Sequence, residues 1–114
     1  LIVKNKSIGA DMSFLDHLEY VGGNFDIRVN PTLSSVGGLQ RVTTVGGNLF
    51  IEGNPGLTDL GALANLESID GDLIIANNVN LPTCEAESLR DAIGSDNISG
   101  EVNIRGNDDA GICP

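Results

Sequence analysis

Basic residues are scarce in this chain. Its 114 residues hold six Lys and Arg against sixteen Asp and Glu, a formal net charge of −10. With no cationic patch to release counterions, the charge disfavours nucleic acid and anionic membrane surfaces as partners, and no nucleic-acid partner is expected. No apolar run reaches transmembrane length, so this segment does not insert into a membrane as a helix. Histidine occurs once, as His17 beside Phe14, Leu15 and Leu18, and reads as a partly exposed residue rather than a base. No serine or cysteine nucleophile has a suitable partner. With one His and two Cys, a zinc-type site lacks ligands. Oxygen ligands for calcium gather only at Asn107, Asp108 and Asp109, and neither an EF-hand loop nor an RTX repeat surrounds them. Asp26, Glu52, Asp72 and Glu101 fall in strand segments but at non-equivalent positions, which defines no catalytic pair. The expectation is a protein that is not an enzyme, with no metal and no cofactor.

What the chain does have is a repeated word. Val21-Gly22-Gly23, Val45-Gly46-Gly47 and Ile69-Asp70-Gly71 begin 24 residues apart, and Ile98-Ser99-Gly100 follows after a further five-residue insertion. A unit of this length cannot bury its own apolar face, so neighbouring units must stack into a solenoid. After each Gly comes an apolar-x-apolar-x-x-Asn string, for example Leu49-x-Ile51-x-x-Asn54. Its alternation is that of a strand, so each coil donates one strand to a parallel sheet. Apolar residues about three apart, such as Leu57, Leu60, Leu63 and Leu66, then return across the back in turns or short 3₁₀ stretches.

The fold class expected is a β-solenoid of about five 24-residue coils with one parallel sheet and a short C-terminal capping helix. The opening residues are fitted at a spacing of 25, which puts Ile2, Asn5 and Ile8 in the columns of Ile27, Asn30 and Leu33 and makes the coil holding Met12 and Phe14 one residue longer. One domain, 1–114, then divides into a partial first coil 1–20, coils 21–44, 45–68 and 69–97, and a cap 98–114. Within 69–97, Thr83 reads as the N-cap of a helix over about 84–93 that ends at Gly94. The chain starts in mid-strand without an initiator Met or a signal segment, so it reads as the C-terminal part of a longer protein with an uncapped first coil.

Two columns read as structural. Asn5, Asn30, Asn54, Asn78 and Asn107 recur where the strand bends, and a carboxamide both donates and accepts, so a buried stack can bond neighbouring coils. Cys84 and Cys113 each lie six residues after an Asn of that column. Adjacent rungs are about 4.8 Å apart, within disulfide reach, so the two pair and staple the cap. That points to an oxidising location: the exterior, the cell surface or the periplasm.

A third column is functional in prospect. The register that buries Leu49, Ile51, Leu73 and Ile75 turns Phe50 and Ile74 outward, with Leu1, Asp26 and Asn103 in the same line. The neighbouring line holds Val3, Arg28, Glu52, Ala76 and Arg105. Phe50 and Ile74 on adjacent rungs, with Arg28, Glu52 and Arg105 at the rim, form a small recognition patch.

The string from Val45-Gly-Gly-Asn-Leu-Phe-Ile-Glu-Gly-Asn-Pro-Gly-Leu-Thr-Asp-Leu, with Leu63, Leu66 and Ile69-Asp-Gly after it, resembles the receptor L-domain class of leucine-rich-repeat-like proteins. The stretch from Asn80-Leu-Pro-Thr-Cys through Gly106-Asn-Asp-Asp-Ala-Gly-Ile-Cys-Pro is similar to the ending of secreted bacterial members. The resemblance implies a non-enzymatic extracellular or cell-surface module that binds a protein or glycan through its sheet face. The alternative it leaves is a structural or adhesive repeat of a fibre or coat, self-associating through the uncapped first coil.

Overall fold

The computed structural model describes residues 1–4 and 11–113, and the expectations placed on Asn5 and Ile8 lie outside that set. Eight strands and one helix follow in chain order: β1 (Ile2–Lys4), β2 (Tyr20–Val21), β3 (Phe25–Arg28), β4 (Thr44–Val45), β5 (Leu49–Glu52), β6 (Ser68–Ile69), β7 (Leu73–Ala76), α1 (Thr83–Ile93) and β8 (Val102–Arg105). Short 3₁₀ turns occupy Ser13–Leu15, Gly61–Leu63 and Ser95–Asn97.

The strands sort into two parallel sheets rather than the single one expected. The larger has the order β1-β3-β5-β7-β8 and the smaller β2-β4-β6. The smaller sheet is built from the residues just before each glycine corner, and two-residue strands are too short for an alternating pattern to announce them. Val45 pairs with Val21 on one side and Ile69 on the other, and all three are buried. β8 follows β7 at 29 residues, Leu73 with Val102, while from β2 to β7 the paired residues stand 24 apart, as in Phe25 with Leu49 and Leu49 with Leu73.

The same spacing governs β1, which corrects the register of the first strand. Val3 pairs with Ile27 and Ile2 with Asp26. Side chains alternate across a strand, so this one-residue difference exchanges the faces. Val3 is 2% exposed and belongs to the core, while Ile2 is 65% exposed on the outer face. Leu1 and Val3 therefore do not belong to the outward lines, and the first repeat contains no extra residue.

Between the sheets runs one continuous core. Phe25, Ile27, Leu49, Ile51, Leu73 and Ile75 enter from the larger sheet, and Leu33, Leu57, Leu63 and Leu66 from the returns. Each return is a chain of tight turns: Leu57 N–H donates to Asn54 C=O, Leu63 to Leu60 and Leu66 to Leu63, so one leucine per turn points inward.

The last return is different, because α1 replaces the turns. Ala86, Leu89 and Ile93 line its buried face, and Gly94 ends it at φ 87°. The helix begins at Thr83, one residue before the expected span, and Pro82 holds the cap position. Thr83 is thus not the cap; its hydroxyl donates to Asp109 Oδ1 at 2.6 Å and ties the helix start to the tail. Cys84 and Cys113 form a disulfide with Cα atoms 6.1 Å apart. Among the described residues, no helix is long and apolar enough to cross a membrane.

Candidate functional site

Two lines of side chains run across the outer face of the larger sheet. The pairings align Ile2, Asp26, Phe50, Ile74 and Asn103 in one, and Arg28, Glu52, Ala76 and Arg105 in the next. Phe50, Ile74, Arg28 and Glu52 are half-buried, and Arg105 is exposed. They face outward because Leu49, Ile51, Leu73 and Ile75, the alternate residues of the same strands, are fully buried.

The arrangement is tighter than a rim of free charges. Asp26 is only 7% exposed, and Arg28 folds over it, with Nε 2.7 Å from Oδ1 and Nη2 donating to Oδ2 at 2.9 Å. The same guanidinium carbon lies 5.6 Å from the Phe50 ring centroid, within cation–π range. Arg28 is therefore held from two sides, by a carboxylate on its own strand and by a ring on the next. Its side chain remains 41% exposed, so charge is still presented to solvent. Sequence reasoning missed this clamp, although residues i and i+2 of one strand share a face, and that signal was available.

The remaining sequence-marked residues are occupied elsewhere. Asn30, Asn54 and Asn78 are buried, and each passes its bonds along the stack. Asn54 Oδ1 accepts from both N–H and Nδ2 of Asn30, while Asn54 N–H and Nδ2 donate to Asn78 Oδ1, all at 3.1 Å. Asn54 Nδ2 also donates to Ile27 C=O at 3.1 Å. Asn107 receives Asn78 in the same way and donates to Ile75 C=O at 2.9 Å. The oxygens considered for calcium are committed separately: Asp108 Oδ1 accepts from Ala110 N–H and Asp109 Oδ1 from Thr83. Among the described residues no cluster of three or more His, Cys, Asp and Glu could hold a metal ion. His17 is exposed, with Asp16 Oδ1 3.7 Å from its Nε2. Asp72 and Glu101 lie one residue before β7 and β8, not within them, and Asp72 Oδ1 accepts from Glu101 N–H.

An open groove of about 610 Å³ lies on the side of the smaller sheet, lined by Glu19, Gln40, Arg41, Thr43, Asn65 and Glu67 among others. Several of its polar groups already join neighbouring returns: Asn65 Nδ2 donates to Gln40 C=O and Thr43 Oγ1 to Glu19 C=O. The clamped outer face offers a more defined arrangement.

Among the described residues the architecture is two parallel sheets and one short helix. The chain belongs to the receptor L domain family, whose model matches residues 1–112. Receptor L domains are non-enzymatic, extracellular modules that bind ligands. No curated protein and no solved structure matches the chain. The family assignment agrees with the disulfide, which persists where thiols are oxidised.

Proposed function

We propose that this chain is a secreted or cell-surface recognition module, a solenoid of about five coils within one domain, that binds a protein ligand through the outer face of its larger sheet. The observation that carries the reading is the Asp26–Arg28–Phe50 clamp beside Ile74. It presents an aromatic ring, an aliphatic side chain and a cation on a rigid support, and groups already held in place lose little freedom on binding. Glu52 and Arg105 supply polar contacts at the edge of the patch, and Ile2 stands in the same line beyond Asp26. Asn30, Asn54, Asn78 and Asn107 serve the scaffold and not the ligand. A protein is favoured over a glycan because Phe50 is the sole aromatic in the two lines, too little stacking surface for sugar rings.

The test is the double variant Phe50→Glu, Ile74→Lys. It should keep the melting curve of the parent protein and lose capture of the extracellular protein partner in a binding screen. Unfolding of the variant would return these side chains to the core and remove the face. A variant that binds as the parent does would move recognition elsewhere.

A further inference from the structure

The larger sheet ends at β8, and the outer edge of that strand is free among the described residues. Its burial differs from every interior strand. Val102 occupies the line of Phe25, Leu49 and Leu73, all fully buried, yet it is 37% exposed, and Ile104 is only half-buried where Ile27, Ile51 and Ile75 are sealed. The backbone of β8 is half used. Leu73 N–H donates to Glu101 C=O and Asn77 N–H to Arg105 C=O, so residues 101, 103 and 105 turn their peptide groups toward β7. By the alternation of a parallel ladder, the N–H and C=O of Val102 and Ile104 point away from it.

We propose that this edge pairs with the same edge of a second copy, antiparallel about a two-fold axis through Asn103. A two-fold contact must be self-complementary, and β8 meets that condition at three levels in one register. Val102 stands opposite Ile104 of the second copy, and these are the residues whose peptide groups face outward, so each such pair exchanges two hydrogen bonds. Their side chains lie on the core side of the sheet and cover each other. On the outer side, Glu101 stands opposite Arg105 of the second copy, giving two symmetry-related ion pairs, and Asn103 meets its own counterpart at the axis. Antiparallel registers one residue away would set an outward peptide against one already bonded to β7. The pairing joins two five-stranded sheets into one of ten strands and sets two outer faces side by side.

A four-residue edge makes a small interface, so the association is weak and depends on concentration. In sedimentation equilibrium of the intact, disulfide-bonded chain, the mass should rise toward that of a dimer between about 10 µM and 1 mM. Arg105→Glu sets like charges opposite each other twice and should weaken association about tenfold or more. The exchange variant Glu101→Arg, Arg105→Glu restores opposite charges and should recover it. Asn103→Cys should give a disulfide-linked dimer under mild oxidation, because residues facing each other in a non-hydrogen-bonded antiparallel pair have Cα atoms about 4.5 Å apart. Asp96→Cys, exposed on the turn after α1, should not. All these positions are exposed, so circular dichroism should report an unchanged fold. A monomer at every concentration overturns the proposal and leaves the edge to a strand of another protein. A dimer indifferent to Arg105→Glu and not cross-linked through Asn103→Cys overturns this edge as its site.

Discussion

The chain turns into each strand of the larger sheet and out of it at two corners, and both corners carry a ladder of side-chain oxygens. At the exit, Asn30, Asn54 and Asn78 form a buried ladder that half-buried Asn107 ends. At the entry, Asn24 Oδ1 accepts from Asn48 N–H, Asn48 Oδ1 from Asp72 N–H and Asp72 Oδ1 from Glu101 N–H, at 2.8–2.9 Å. The exit ladder is buried at Asn30, Asn54 and Asn78, so its donors need partners, and a carboxamide supplies an acceptor and two donors in one planar group. The entry ladder borders solvent and needs only an acceptor, which explains why Asp72 can stand in line with two asparagines. Its constraint falls on the glycines instead. A Cβ at Gly47, Gly71 or Gly100 would collide with the accepting oxygen of Asn24, Asn48 or Asp72, respectively, and with backbone of the preceding repeat. These glycines serve close approach, since the positive φ angles lie elsewhere.

The largest effect expected is at the dry corner. Asn54→Leu removes four buried hydrogen bonds at once, those from Asn30 N–H and Nδ2 to its Oδ1 and those from its Nδ2 to Ile27 C=O and Asn78 Oδ1. At about 0.5–1.5 kcal/mol for each of these bonds, a loss of about 3–5 kcal/mol should appear as a lower denaturation midpoint. An unchanged midpoint would erase the contrast between the corners.

At the wet corner the effect should be smaller and conditional. Gly71→Ala pushes against Asn48 Oδ1 and the Gly47 carbonyl, for a loss of about 1–3 kcal/mol. Asn48→Ala alone forfeits one partly buried hydrogen bond, about 0.5–1 kcal/mol. The double variant should lose less than the sum, because removing the carboxamide makes room for the methyl. Strict additivity would mean that the backbone carbonyl alone forbids a side chain there.

The smallest effect should be a gain. Just before the exit ladder the chain takes a positive φ in four successive repeats, at Val29 (54°), Gly53 (68°), Asn77 (58°) and Gly106 (67°). Glycine and asparagine tolerate that region, whereas a β-branched residue is strained in it. The ladder holds Val29 there, since its N–H donates to Glu52 C=O at 3.0 Å as Gly53 and Asn77 do to their own neighbours. Val29→Asn should raise stability by about 1 kcal/mol. A loss would show that the exposed valine makes contacts worth more than its strain.

Much of this was written locally and repeated. The 24-residue word, the strand after each glycine, the return with an apolar residue every third position and the equivalent placement of Cys84 and Cys113 are visible because each copy corroborates the next. Periodicity says which residues are equivalent and, through alternation, which share a face. It cannot say which oxygen a side chain reaches. Asp26 and Arg28 share a face in the sequence, but their mutual grip and the stacking on Phe50 depend on an arginine bending within its strand toward the neighbouring rung.

The chain by itself determined the spacing of the rungs, the inward and outward sides of β3, β5 and β7, and the cysteine pairing, because stacked repeats bring equivalent residues close to each other even where one repeat carries an insertion. Tertiary structure alone decided the register of β1, the second sheet and the reason for the glycines. Three strand residues fit two alignments equally well on apolar pattern, and only the pairing with β3 chooses between them. Two-residue strands carry no period of their own, so Val21, Val45 and Ile69 become a sheet only when stacking places them side by side.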